Sequence, residues 1–265
     1  MKNLLIYIHP RKSFDKETDL FAKIQIDNSL NLGWKKEDIL IVTNFPYEYN
    51  GVKALIVDDD NYCAHCPTAT KINVIAEFFK HGVIDKEELY WAHDFDAHQS
   101  IVITETELDL DNGTIGVTDY GRMPKWNMGS IFFRGNSQDI FGWIKNIMYE
   151  HESTDERALW ALTGNDTVSI RGNLIKALTP IDIPGIENIN DRVKKMNISY
   201  NFLMFNVRSC YPIAIKPIRV GHFHLYRNRQ LGFDPIDFYI RGKNKVGKVL
   251  MSERLINIFK DHGVE

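Results

Sequence analysis

The sequence predicts an α/β fold in which a mixed sheet, flanked by helices, forms a single domain. Strand-like runs alternate with helical spacing through the first hundred of the 265 residues, and no repeat or linker divides the chain. The composition, 44% hydrophobic and 25% charged, is that of an ordinary globular protein. No stretch approaches the length of apolar chain that spans a bilayer, so we expect a soluble, cytoplasmic protein without a membrane partner.

Apolar segments in the first half of the chain alternate between strand-like and helix-like spacing. Polar or turn residues bound the strand-like runs, and the helix-like runs repeat their apolar positions every three or four residues. This alternation predicts a parallel sheet, in which ligands gather beyond the carboxyl ends of the strands. The predicted strands span 3–9, 38–43, 52–57 and 88–92, and the predicted helices span 15–32 and 68–81.

The second half of the chain is less regular. Residues 101–120 predict strand, turn and strand, with the turn at Asp111-Asn112-Gly113. Residues 126–134 predict a further buried strand, 137–149 predict an amphipathic helix, and another helix begins at Asp155. The remaining residues are rich in β-branched and aromatic side chains and predict no clear order of elements.

Three cysteines limit the metal and redox chemistry that the chain can offer. Cys63 and Cys66 enclose His65, but no second pair supplies the further ligands that a structural zinc site needs. The low count excludes a disulfide scaffold and fits a reducing compartment. We therefore interpret Cys63 and Cys66 as two small residues near the start of a helix, without a metal or redox role.

Two aspartates, Asp94 and Asp96, follow the apolar segment 89–92, where a core strand leaves the sheet. Carboxylates two residues apart in an extended segment can point to one side, and their oxygens suit Mg²⁺ or Mn²⁺. A solvated turn can contain the same residues, but the apolar segment that precedes the pair favours a metal site. The acidic run 58–60 also follows a predicted strand; it lacks a distant histidine partner, and we interpret it as a strand-end loop.

Five further motifs accompany the aspartate pair, and their order along the chain is the informative feature. They are Cys66-Pro-Thr-Ala-Thr-Lys71, Trp126-Asn127-Met128-Gly129-Ser130, Thr154-Asp155-Glu156, Ser199-Tyr200-Asn201-Phe202 and Gly221-His222-Phe223-His224. Together with Asp94-Phe95-Asp96 they resemble, over most of the chain, the GT-A family of glycosyltransferases. One family element is missing: the usual Gly-x-Lys-Pro after the late histidine is absent, and Lys216-Pro217 stands before it.

The resemblance implies a GT-A domain with a nucleotide-binding half at 1–100 and an acceptor-side half at 101–265. The implied reaction moves a sugar from a nucleotide sugar, preferably a UDP-sugar, to an acceptor hydroxyl. The implied donor contacts are Lys71, Asp94, Asn127 and Gly129, and the implied ligands of Mn²⁺ or Mg²⁺ are Asp94, Asp96 and His222.

Two assignments within this set have alternatives. His222 and His224 alternate along a predicted strand and so face the same side; either suits the metal, and we prefer His222. Asp155 or Glu156 is the implied catalytic group, because a base must reach the acceptor hydroxyl. Thr154 or Asp155 equally suits a helix cap, and the two roles are compatible.

The charge of the chain is unevenly distributed. Residues 191–250 carry twelve Lys and Arg against three acids, a net of +9, so the rest of the chain carries −12. Such a segment indicates either a solvated basic face or a polyanion site, for which Arg219, Arg227 and Arg229 are the candidate contacts. The Asn-, Ile- and Lys-rich chain resembles tailed-phage proteins, and phages glycosylate hydroxymethylated bases, so DNA in a host cytoplasm is one candidate acceptor.

Three alternatives compete with this interpretation. A glycan- or lipid-linked hydroxyl is the other candidate acceptor. A sugar nucleotidyltransferase would carry a glycine-rich loop after the first strand, and residues 9–13 contain no glycine. A non-catalytic nucleic-acid-binding protein would explain the basic segment and its aromatics but not the aspartate pair. The sequence indicates no protein partner.

Overall fold

The computed structural model of the chain describes residues 1–121, 125–163, 189–230, 232, 234–240 and 250–264. The strands are β1 (Lys2–Tyr7), β2 (Ile39–Thr43), β3 (Glu48–Tyr49), β4 (Val52–Lys53), β5 (Leu55–Ile56), β6 (Leu89–His93), β7 (Ala97–Gln99), β8 (Ile115–Asp119), β9 (Trp126–Arg134), β10 (Val193–Lys195), β11 (Phe202–Leu203) and β12 (Val220–His222). The helices are α1 (Lys16–Asn31), α2 (Thr70–Lys80), α3 (Glu105–Leu108), α4 (Gln138–Glu150), α5 (Asp155–Thr163), α6 (Val207–Cys210), α7 (Leu225–Gln230), α8 (Pro235–Tyr239) and α9 (Glu253–Asp261).

A seven-stranded sheet with the order β10-β8-β9-β6-β1-β2-β5 runs through the centre of the fold. β6, β1, β2 and β5 are parallel neighbours, as the alternation in the first half of the sequence predicts. β9 runs antiparallel to both β6 and β8, which makes the sheet mixed. A smaller sheet, in the order β11-β12-β7, begins where the chain leaves β6. The predicted class, an α/β fold with a mixed sheet flanked by helices, is confirmed.

The helices of the first half follow their sequence signals. α1 begins at the cap Asp15, whose side chain accepts hydrogen bonds from the N–H groups of Glu17 and Thr18. It ends before Gly33, whose φ of +90° suits glycine at a helix C-terminus. α2 begins after Pro67 and turns its apolar positions to the core, so its early residues reach the carboxyl ends of β1 and β6.

Apolar packing holds the helices to the sheets in two main clusters. In the first, α2, β9 and α4 meet through Phe79, Phe133 and Phe141, whose ring centroids lie 4.8 to 6.0 Å apart. The second joins α1, the small sheet and α9 through aromatic side chains such as Phe21 and Phe259. None of the helices within the described ranges is long and apolar enough to cross a membrane.

Of the strand–turn–strand arrangement predicted for residues 101–120, the turn at Asp111–Gly113 and the second strand, β8, are observed, and the first strand is wrong. Residues 105–108 form α3 instead, where Thr104 caps the helix by accepting a hydrogen bond from the N–H of Glu107. The pattern Thr-x-x-Glu is a helix-start signal, and here it prevails over the strand-like residues around it. β8 therefore has no partner in 101–110 and pairs with β9 and β10. The strand predicted at 52–57 is also interrupted, because the N–H of Ala54 donates to Tyr47 and separates β4 from β5.

Candidate functional site

Asp94, Asp96 and His222 converge where β6 ends. Asp94 follows β6 directly, and the antiparallel pairing of β7 with β12 brings His222 opposite Ala97, one residue beyond Asp96. His222 Nε2 lies 3.3 Å from Asp96 Oδ1 and 3.7 Å from Asp94 Oδ2. One ligand atom from each residue falls within 4.8 Å of the others. Among the described residues this is the only such group of three or more, and its spacing suits a single divalent cation.

Gly129 lies beneath the imidazole of His222. A Cβ atom at this position would stand 2.1 Å from His222 Cε1 and 2.6 Å from His222 Nδ1. The main chain also contributes, because the N–H of Asp94 donates to the carbonyl oxygen of Gly129 at 3.0 Å. Position 129 therefore admits only glycine while the histidine keeps its place between the aspartates.

We expect Gly129→Ala to displace His222 and to lower stability by about 1–3 kcal/mol, since the added methyl group overpacks a fully buried site. Urea unfolding measures the loss, and metal affinity measures the displacement. The matched control is Gly142→Ala in α4, where an added Cβ meets nothing within 4 Å. This control should be neutral or slightly stabilising. Equal effects of the two substitutions would contradict the close contact with His222.

Lys71 is a buried cation between two carboxylates. Its Nζ donates to Asp94 Oδ1 at 2.6 Å and lies 4.0 Å from Asp155 Oδ2. Burial by itself lowers the pKa of Lys71, but Asp94 and Asp155 outweigh it and raise that pKa above its usual value. The lysine is therefore charged, and it fixes one oxygen of Asp94 while the other faces His222.

Asp155 begins α5 at the opposite side of Lys71. Its Oδ1 accepts a hydrogen bond from the N–H of Glu156. Of the two predicted cap residues it is Thr154 that caps the helix, because its Oγ1 accepts from the N–H of Arg157 at 3.3 Å. Burial raises the pKa of Asp155 to about 7, with the nearby charges of Glu156 and Asp94 adding to the effect and Lys71 opposing it. Ionising this carboxyl at neutral pH therefore costs folding free energy.

Asp155→Asn is expected to stabilise the protein above neutral pH. The carboxyl has a pKa near 3.8 when unfolded and about 7 when folded, so between these values only the folded state keeps the proton. The contribution of this carboxyl to the free energy of unfolding of the wild type therefore falls as the pH rises through that window. The fall is on the order of 4 kcal/mol. Urea unfolding with a chelator present should show the variant's advantage growing from about pH 4 to pH 7 and then levelling. A pH-independent difference would contradict it.

Two cavities meet at Asp94 and share Thr68 and Lys71 as common walls. The first, of about 230 Å³, opens over the carboxyl end of β1 and includes Tyr7 and His9. The second, of about 280 Å³, lies toward β9 and α5. Its further lining includes Tyr120, Asn127, Gly129, Asp155, Glu156 and His224. Asp94, the member of the triad that lines both cavities, thus stands at the junction of an apolar-walled cleft and a polar one.

Comparison with known proteins finds similarity in structure alone, since no family model and no curated protein sequence matches the chain. The galactosyltransferase LgtC, solved with donor and acceptor sugar analogues, aligns with a TM-score of 0.59 and 10% identity over 98% of this chain and 96% of that one. The glycosyltransferase GlyE of Streptococcus pneumoniae aligns with a TM-score of 0.56 and 13% identity over all of this chain and 65% of its own. The chain has a GT-A glycosyltransferase fold.

The GT-A fold brings most of the predicted donor residues to one place. Asn127 Oδ1 accepts a hydrogen bond from the N–H of Gly129 at 2.9 Å, and its Nδ2 lies 3.3 Å from His224 Nε2. The two late histidines stack with ring centroids 3.7 Å apart. His222 thus faces the aspartates while His224 faces Asn127. The prediction that the two residues alternate along one strand and face the same side is wrong, because β12 ends at His222 and His224 lies beyond it with a φ of +52°.

Glu156 has contacts different from those of Asp155. Its Oε1 accepts a hydrogen bond from the Tyr120 hydroxyl at 2.7 Å, and its Oε2 lies 3.3 Å from Lys125 Nζ. Neither Tyr120 nor Lys125 belongs to the set predicted from sequence. Both lie in an ordinary-looking segment between β8 and β9, and only the fold brings them to the cavity.

The acidic run 58–60 lies apart from the triad, as its interpretation as a strand-end loop predicts. Asp59 accepts a hydrogen bond from Asn44 and pairs with Lys12 at 2.8 Å. Cys63 and Cys66 are buried free thiols beside His65 and supply no metal group within the described part of the chain.

Two of the three candidate polyanion contacts, Arg219 and Arg229, are engaged in ion pairs. Arg219 pairs with Glu107 at 3.5 Å, and Arg229 pairs with Glu17 at 2.5 Å and with Asp234 at 2.8 Å. The side chain of Arg227 lies outside the described residues. Three more cations of the basic segment also pair with carboxylates from earlier in the chain: Arg192 with Asp139, Lys194 with Asp109 and Lys195 with Asp119.

Proposed function

We propose that this protein is a glycosyltransferase that moves a sugar from a nucleotide sugar, specifically a UDP-sugar, to an acceptor hydroxyl. The observation that carries the proposal is the Asp94–Asp96–His222 group, whose member Asp94 lines both cavities. The GT-A fold is compatible with this activity, but it is the site chemistry that supports it.

Two carboxylates and one imidazole fit Mn²⁺ or Mg²⁺ and leave coordination positions for phosphate oxygens and water. When bound, such a cation offsets the negative charge that develops on the departing diphosphate. Lys71 orients Asp94, because it holds Oδ1 and leaves Oδ2 directed at His222. The residues present therefore suit the metal that we assign to the site.

We assign the cavity beside Tyr7 and His9 to the nucleoside and the polar cavity to the donor sugar. In this assignment residues 1–100 form the nucleotide-binding half and 101–265 the acceptor-side half of one domain. Asn127 and the backbone of Gly129 contact the sugar. Asp155 and Glu156 are the catalytic candidates, since both carboxylates line the sugar cavity and meet different cations, Lys71 and Lys125.

The ion pairs of the basic segment bear on the acceptor. Arg192, Lys194, Lys195, Arg219 and Arg229 all have carboxylate partners, so a DNA backbone would have to displace internal contacts to bind them. This favours a glycan- or lipid-linked hydroxyl over a hydroxymethylated base in phage DNA. If the protein retards duplex DNA in a gel at low salt and Arg219→Ala abolishes the retardation, DNA becomes the favoured acceptor instead.

The test of the proposal is nucleotide release from a panel of nucleotide sugars with Mn²⁺, with Mg²⁺ and with a chelator. We expect slow, metal-dependent hydrolysis of at least one UDP-sugar and none with Asp94→Asn. Calorimetric titration with the same donors gives a second readout that needs no turnover. Absence of both metal-dependent release and donor binding would reject the proposed function.

A further inference from the structure

Asn201 is a fully buried side chain behind His222, on the side opposite the aspartates. Its Oδ1 lies 2.8 Å from His222 Nδ1, while His222 Nε2 faces Asp94 and Asp96. The position of Asn201 is fixed by its backbone, because its N–H donates to Ile198 and β11, which follows it, pairs with β12. Asn201 thus stands immediately before β11, the strand that pairs with the strand of His222.

This contact determines which nitrogen of the imidazole carries the proton. An amide oxygen can only accept, so Nδ1 must donate, and in a neutral ring Nε2 is then left with a lone pair. That lone pair points at two carboxylates, an arrangement that is repulsive unless a second ring proton or a metal ion lies among the three groups. The same arrangement is the one in which histidine binds a metal through Nε2.

The fold gains little from Asn201 itself. Its Nδ2 is buried and has no hydrogen-bond partner among the described residues. A buried amide whose donors are unused lowers stability relative to an apolar side chain of the same size. What the buried amide of Asn201 does provide is the oxygen that accepts from Nδ1 of His222.

We propose that Asn201 is the positioning residue of the metal site, which holds His222 as the Nδ1–H tautomer so that Nε2 is free for the cation. The effect on metal affinity rests on the proposed function; the tautomer itself does not. Neighbouring groups fix the ring in other directions, with Gly129 beneath it and His224 stacked on it. Asn201 is the group that bonds Nδ1.

The primary experiment measures the tautomer of His222 in the metal-free wild-type protein by long-range ¹H–¹⁵N correlation, assigned with His222→Gln. We expect the Nδ1–H form. In Asn201→Leu, which removes the acceptor at similar volume, the Nε2–H form should grow, whereas Asn201→Asp should keep the Nδ1–H form. Finding Nε2–H in the neutral ring of the wild type would overturn the proposal even if no variant folds.

Affinity for Mn²⁺, read from the electron paramagnetic resonance of the free ion, is the second measurement. Asn201→Leu should weaken binding by about ten- to a hundredfold, as loss of an outer-shell partner does elsewhere, and Asn201→Asp should stay close to wild type. The matched control is Asn3→Leu, which removes another buried asparagine bonded to a histidine, with Asn3 Oδ1 lying 2.7 Å from His93 Nε2.

The outcomes separate the two proposals. Asn3→Leu should lower stability and leave both the tautomer of His222 and the Mn²⁺ affinity unchanged. If Asn201→Leu shifts the tautomer but the wild type binds no Mn²⁺, the metal site fails and the orienting contact stands. If the wild type binds Mn²⁺ and Asn201→Leu changes neither measurement, Asn201 has no positioning role.

Discussion

Asp96→Asn is expected to reduce metal-dependent hydrolysis of the nucleotide sugar by roughly a hundredfold or more, because it removes a charged ligand from the proposed cation site. Burial by itself would raise the pKa of Asp96, but His222, His224 and the N–H of Leu225 hold that pKa below its usual range. The wild-type residue is therefore an anion at any working pH. Asparagine has the same shape, and its oxygen can still accept from Leu225, so the fold should survive.

The control for Asp96→Asn is Asp60→Asn, which makes the same chemical change in an exposed acidic run outside the triad. Two quantities are measured: the rate of donor hydrolysis at saturating Mn²⁺ and the Mn²⁺ concentration that gives half the maximal rate. Asp96→Asn should change both, and Asp60→Asn should change neither. Full activity of Asp96→Asn at unchanged metal requirement would show that the aspartate pair does not hold the cation.

Lys71→Met is expected to destabilise the protein by about 3–5 kcal/mol, because removing one partner leaves buried carboxylate charge uncompensated. Lys71 is the only cation within ion-pair distance of Asp94 Oδ1 and Asp155 Oδ2 among the described residues. The pKa of Asp155, already raised by burial, should rise further without it. Urea unfolding at about pH 9, where Asp155 is ionised in the wild type, measures the loss with a chelator present.

A double variant tests whether the loss comes from the buried charge. Asp155→Asn in the Lys71→Met background should recover a large part of the stability, since the unpaired carboxylate is gone; additive effects would refute the coupling. Lys145→Met is the surface control: Lys145 pairs with Glu77 at 3.2 Å, and its removal should cost under about 1 kcal/mol.

The parts of this fold that follow from sequence are those with strong local patterns. Seven elements lie close to their predicted spans, because the spacing of their apolar residues and the residues at their ends predict the same bounds. They are β1, β2, α1, α2, β6, β9 and α4. Within 101–120 only the strand predicted before the turn was wrong, because the capping pattern at 104–107 begins a short helix there. The ion pairs of Glu105 with Arg134 and Met1 are made by this helix, and local apolar spacing does not reveal them.

The candidate site was predictable in its residue types and only partly in its geometry. The order of motifs placed Asp94, Asp96 and His222 in one hypothesis, and the fold brings them together. The contacts of Lys125 and Tyr120 with Glu156 depend on the path between β8 and β9, which carries no recognisable motif. Likewise the closeness of Gly129 to His222 arises from two sheets meeting, which no spacing along the chain encodes.

The uneven charge of the chain has a consequence for how the protein assembles. Residues 192–233 contain no acid, and five of their cations find carboxylate partners that precede residue 140. During synthesis, the acidic portion leaves the ribosome first and the basic portion meets it afterwards. Long-range attraction between the two can accelerate their docking, and added salt screens that attraction. Refolding should therefore slow as ionic strength rises, even though each ion pair contributes little to the final stability.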